Sequence, residues 1–248
     1  MNNKKLVILV IACCAMAQQA FAGDGIRLAA RAGYSVGATS PLGMPDGVSS
    51  IDAYRLTPSF TVGIDAAYRL SERWSVAAGL RYERKAMDAD ITAQNYHMEL
   101  RKGSESLEGV FTGHVSQQVA LSMLSLPVYA TFDLSPKVRL KAGPCFSLLL
   151  GKDFSGTASD GYLRRGGPTG PKIAIGNTPE TWATYDFGDD LRSFSAGITI
   201  GADWQALPHL GFSADLGIGL TGIFPDSFTT VGQALYPIYG TVGVFYQL

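Results

Sequence analysis

Thr241-Val242-Gly243-Val244-Phe245-Tyr246-Gln247-Leu248 is the stretch on which the reading of this chain turns. Its residues alternate, with Tyr246 and the terminal Leu248 on one face and Gly243 five positions before the end. Period-two alternation means a strand with two chemically different faces. Terminal residues usually fray unless a sheet ties them down. A chain that stops in mid-strand therefore points to the last staff of a closed sheet. The same eight residues would also serve as an ordinary C-terminal strand in a soluble core.

Seven further segments alternate in the same way. In 26–36, Ile26, Leu28, Ala30, Ala32, Tyr34 and Val36 oppose Arg27, Arg31 and Ser35. In 60–70 the apolar face opposes Thr61, Gly63, Asp65 and Arg69, and in 73–85 it opposes Ser75, Gly79, Arg81 and Glu83. The remaining segments are 114–134, 138–150, 192–205 and 210–220, the last strand being 236–248. The fourth is less clean, since Met123 and Tyr129 fall on its polar face. Short turns at 71–72, 135–137 and 206–209 alternate with long stretches at 37–59, 86–113, 152–191 and 221–235. Eight strands joined this way predict an all-β fold, an antiparallel up-and-down transmembrane β-barrel. Its short turns would be periplasmic, its long loops extracellular, and both termini periplasmic. An even strand count closes such a sheet without leaving an edge.

Aromatic placement separates membrane from soluble. On the apolar face, Tyr68, Trp74, Phe132, Trp204, Phe212 and Tyr246 fall near the short-turn ends, while Tyr34 and Tyr82 fall near the loop ends. Two girdles around an aliphatic middle are expected where amphipathic rings meet lipid headgroups. A lipocalin-like soluble barrel, the competing fold, would turn the apolar face inward around a ligand.

The N-terminal segment and the composition agree with this. Lys4 and Lys5, an apolar run over 6–17 and Ala20-Phe21-Ala22 have the order of a signal peptide cleaved after Ala22, leaving 23–248 as one barrel domain. Removal of 1–22 leaves 18 basic against 21 acidic residues and Cys145 as the one thiol, so no internal disulfide can form. The acidic balance gives no footprint for nucleic acid. Charged residues are 17% of the chain, below the roughly 25% usual in soluble domains. No later apolar run reaches the ~20 residues of a spanning helix, and the alternative for a membrane protein is a closed barrel.

The C-terminal pattern, with Gly243, Tyr246 and Leu248, resembles the signal by which outer-membrane barrels are recognised for insertion, which implies barrel-assembly machinery as a partner. Leu124-Ser125-Leu126-Pro127-Val128-Tyr129, followed by Lys141-Ala142-Gly143-Pro144-Cys145-Phe146, resembles the paired strands of the PorT-like porin family. Gly79-Leu80-Arg81-Tyr82 is similar to that family's early hairpin. The resemblance implies a small barrel in the outer membrane of a Gram-negative bacterium; it implies no chemistry.

Eight strands leave a lumen just wide enough for side chains to fill. The inward positions hold Arg27, Arg31, Arg69, Arg81, Arg139 and Lys141 with Asp65, Glu83, Asp203 and Asp215. Such charges are expected to pair into a plug, giving a non-enzymatic envelope scaffold or a binding protein that works through its loops. A narrow, slightly anion-preferring channel is the alternative, with Gly63, Gly79, Gly197, Gly217 and Gly219 leaving local voids. In the 152–191 loop, Arg164 and Arg165 are candidates for lipopolysaccharide phosphates, and exposed Trp182 or Tyr185 for an unknown partner. His114-Val115-Ser116 has the spacing of lipid A deacylases but lacks an evident acid for a triad. No metal cluster or cofactor motif is found.

Overall fold

The computed structural model describes residues 25–41, 48–55, 57–102, 105–228, 230 and 234–248. The signal segment and Ala22 lie outside these residues. The described elements are β1 (Ile26–Pro41), β2 (Val48–Arg55), β3 (Phe60–Arg69), β4 (Trp74–Lys102), β5 (Glu105–Ser135), β6 (Val138–Arg165), β7 (Lys172–Ile175), β8 (Ala183–Asp186), β9 (Phe194–Gln205), β10 (Leu210–Gly219) and β11 (Leu235–Gln247).

Eight of them form a ring. Antiparallel neighbours run β1-β3-β4-β5-β6-β9-β10-β11, and β11 pairs back onto β1, with Ala30 opposite Tyr246 and Gly33 opposite Gly243. The last strand therefore closes the sheet, as its alternation predicts. Within the ring the apolar side chains point away from the lumen. Val62, Leu80, Leu126, Ile200 and Val242 are all exposed, whereas Asp65, Arg81, Lys141 and Asp203 are buried. A lipocalin has the opposite polarity, so the soluble alternative is set aside. Trp74 packs on Phe132 and Trp204 on Phe212, with ring centroids 5.0 and 5.8 Å apart, at the short-turn end; Phe60 meets Tyr82 toward the other end.

The long connections are not the loops that the sequence suggests. β4, β5 and β6 run for 29, 31 and 28 residues. A tilted strand needs about 9–11 to span a bilayer. Within 86–113, residues 86–102 and 105–113 continue the pairing of β4 with β5, and 152–191 contains the upper part of β6 together with β7 and β8. Beyond the ring, β4 pairs β5, β5 pairs β6, β6 pairs β8, and β8 returns to β4 through Thr184 opposite Arg101. The extensions thus close on themselves as a cap over the loop end. β2 adds to the outside of β4.

The cap has an ordinary dry core. Leu100, Leu107, Phe111, Val119, Phe154, Tyr185 and Phe187 are buried in one cluster, with Phe224 and Phe228 from the β10–β11 connection stacked into it. The polarity of the strands therefore inverts at the rim. On β5, even-numbered Leu124 and Leu126 are exposed apolar side chains in the ring, whereas even-numbered Ser116 and Gln118 are the exposed ones in the cap. Odd-numbered positions change from Ser125 to Leu121, Val119 and Val115 without a break in pairing to β4, while toward β6 the register shifts between Ser122 and Met123 at this rim. Farther out, register shifts re-aim the strands, between Ala93 and Tyr96 on β4 and between Thr112 and His114 on β5. Asn95 (φ 57°) and Asp160 (φ 48°) occupy the left-handed region there, which their short polar side chains tolerate.

Candidate functional site: the lumen and the cap

Six of the inward charges form a closed cycle. Asp65 pairs with Arg31 and with Arg81 (2.8 Å), and Arg81 faces Asp215 at 3.6 Å. Asp215 meets Lys141 at 2.8 Å, Lys141 meets Asp203 at 2.7 Å, and Asp203 returns to Arg31 at 2.5 Å. Three cations alternate with three anions, each touching two of opposite sign. The side chains are only 1–11% exposed. Burying ions costs several kcal/mol apiece unless geometry and hydrogen bonds compensate, and a cycle supplies two partners to each. Tyr129, singled out in sequence for falling on the wrong face, lies inside, with Arg81 and Lys141 5.5 and 5.8 Å from its ring centroid. Phe245 carries Arg31 at 5.0 Å. Tyr129 is on the polar face already in the sequence, whereas Phe245 is not among the lumen residues the sequence suggests, and its parity on β11 is the signal that places it there.

Two of the lumen glycines belong to this cycle. A Cβ on Gly79 would overlap Asp65 Oδ1, and one on Gly201 would overlap Asp215 Oδ1. Gly63 lies against the Arg81 side chain. Gly63 and Gly79 are therefore occupied by charged side chains rather than leaving voids, and Gly197 is closed by the β10 backbone and Gly219 by Pro237. At Gly217 an added Cβ would have no neighbour nearer than 3.8 Å.

The other inward charges lie apart from the cycle. On the loop side, Glu83 pairs with Lys85 at 3.1 Å and accepts from Ser125 at 2.8 Å; Lys85 went unread in the sequence. On the turn side, Arg139 Nε donates to Asp133 at 2.6 Å and Arg27 donates to Ser75 at 3.1 Å. Arg69 does not enter the lumen network. It is exposed and donates to the Ser71 and Glu72 carbonyls at 3.0 and 2.7 Å, tying down the β3–β4 turn.

The cycle divides two small chambers. One of about 60 Å³ lies on the loop side, lined by Lys85, Tyr129, Cys145 and Arg192 among others. One of about 30 Å³ lies on the turn side, lined by Arg27, Arg31, Arg139 and Lys141 among others. Each has room for a few waters. The hydroxyls of Thr61 and Tyr129 line this space without a protein partner, so ordered water is their expected one.

The cap residues singled out in sequence are rearranged. Tyr185 is buried in the aromatic cluster and unavailable as an exposed anchor; Trp182 is half-buried. Arg164 and Arg165 end β6, fifteen residues past Leu150 and roughly 50 Å of extended chain from it, rather than beside the headgroups. Arg164 donates to the Gly170 carbonyl at 3.1 Å.

His114 and Ser116 share the outer face of the cap, each with its own acid. His114 Nδ1 is 3.6 Å from Asp52 and 3.2 Å from Thr92 Oγ1, while Ser116 Oγ donates to Asp90 at 2.6 Å. The acid that sequence could not place comes from β2. Hydrogen bonds from Ser50 and Thr92 hold the Asp52 carboxyl below the usual carboxylate range. No group of His, Cys, Asp and Glu suited to a metal is found among the described residues.

A closed ring with an apolar outside and paired charges inside defines an integral membrane β-barrel. The chain belongs to the family described as "Outer membrane protein beta-barrel domain", whose model matches residues 16–225, and its place is the bacterial outer membrane. Among solved structures it is similar to the attachment invasion locus protein Ail of Yersinia pestis, at 11% identity and a TM-score of 0.36, over 91% of this chain and 100% of that one. Neisserial surface protein A gives 14% and 0.40 over 91% and 98%. OprG from Pseudomonas aeruginosa gives 10% and 0.33 over 90% and 96%. No curated protein matches the chain in sequence.

Proposed function

We propose that this barrel is a sealed, non-enzymatic envelope protein that works through its cap, with both termini in the periplasm and the cap outside the cell. The observation that carries this reading is the closed ion-pair cycle across the lumen, roofed by a dry cap core. A narrow channel would need the cycle broken. The short turns and the 29–31-residue strands β4 and β5 support the orientation, since barrels of this class keep their long connections outside.

Ser116 bonded to Asp90 rather than to His114 argues against a deacylase-like pair. The pair also stands several residues above the lipid-facing band, away from acyl chains. The finer PorT-like assignment draws support from register, because the two motif strands are neighbours, with Leu126 opposite Phe146 and Pro127 opposite Cys145. Lipid and lipopolysaccharide around the barrel, assembly machinery reading Gly243, Tyr246 and Leu248, and a cap-bound partner complete the proposal.

Cys145 tests the seal, since it lines the loop-side chamber and is the one thiol of chain 23–248. A charged, membrane-impermeant thiol reagent is expected to leave Cys145 unmodified in the folded barrel and to modify it fully in denaturant. Rapid labelling of the folded protein would show a lumen open to solutes.

A further inference from the structure

The central cycle is neutral, and so are the pairs on its loop side, Lys85 with Glu83 and Arg192 with Asp226. The turn end is not. Inside that mouth stand Arg27 and Arg139, and Asp133, paired with Arg139, is the carboxylate between them, while Arg69 sits exposed at the rim on the β3–β4 turn. The adjoining turns add Arg73 and Lys137 against Glu72. The basic surplus of the lumen is thus concentrated at one end.

Arg27 is the least satisfied of these groups. Its one side-chain hydrogen-bond partner is the neutral Ser75 hydroxyl, its Nε is buried without a partner, and Arg139 and Arg69 repel it while Asp133, itself paired with Arg139, attracts it. It lines the turn-side chamber together with Arg139, which is itself part-exposed there. A half-buried guanidinium beside another, with an unpartnered Nε at the edge of a small void, is matched by an anion with several acceptor oxygens. The low-dielectric wall strengthens that attraction relative to open solvent.

We propose that the mouth of this turn-side chamber binds a small free oxyanion of the phosphate class, held between Arg27 and Arg139. The site is independent of whether the lumen conducts.

The test is isothermal titration of inorganic phosphate into chain 23–248, refolded in zwitterionic detergent without phospholipid, at low ionic strength. Saturable binding is expected, at least tenfold weaker in Arg27→Gln and in Arg139→Gln. Arg164→Gln, which removes the same charge from the cap, should leave it unchanged. A heat-shifted gel band establishes that each variant is folded, and Arg27→Gln removes no ion pair. Absence of saturable heat, or equal weakening by Arg164→Gln, overturns the proposal. So does loss of phosphate binding when anionic phospholipid is added, which would assign the arginines to headgroups.

Discussion

Asp203→Ala is expected to lower the stability of the folded barrel by about 3–5 kcal/mol, the cost of stranding a buried charge. Asp203 is the shared partner of Arg31 and Lys141, and its removal leaves both cations with one anion each in a lumen that water scarcely enters. The measurement is the urea midpoint at which the heat-modifiable folded band disappears. Asp133→Ala, at a more exposed pair with Arg139, should move that midpoint much less. Gly79→Ala should reach the same cycle without deleting a charge, because its Cβ takes the space of the Asp65 carboxylate. An unchanged midpoint in Asp203→Ala would mean that the cycle does not form in the membrane.

Phe154→Ala is expected to unfold the cap while leaving the barrel closed. Phe154 lies at the centre of the aromatic cluster, in contact with Tyr185, Phe187 and Phe224. Truncating a buried Phe costs about 3–5 kcal/mol. That loss falls on the cap rather than the ring, whose strands are held by their own pairings and by lipid. Limited proteolysis of the folded protein should cut within 152–191 and 221–235 in the variant and spare the wild type. The heat-shifted band of the remaining barrel should persist. Loss of that band together with the cap would show a single cooperative unit instead.

The ring was legible in the sequence because lipid imposes one rule on every spanning strand, apolar out and polar in. Ile26, Trp74, Leu126 and Val242 declare their face without any knowledge of their neighbours. The charged positions followed by parity, and Arg31, Asp65, Arg81, Lys141, Asp203 and Asp215 meet in one cycle. Which charge pairs with which was not legible, since partners such as Arg31 and Asp203 are 172 residues apart. The cap was missed for a definite reason. At Leu121 on β5 the burial rule reverses, so the alternation that marks a lipid-facing strand ends although the strand does not. Arg69 shares parity with Asp65 but sits at the last position of β3, where the turn carbonyls reach it before the lumen does. Parity assigns a face; depth along the strand decides what the side chain meets there.

The most direct test of the sealed lumen is the current carried by chain 23–248 in a planar bilayer, once its gel band shifts on heating. A folded barrel that inserts and carries no resolvable steady current at neutral pH is the predicted result, with Asp203→Asn giving openings. Steady, anion-preferring conductance from the wild-type chain would contradict the account, because no hydrated ion can pass the cycle while its six members remain paired.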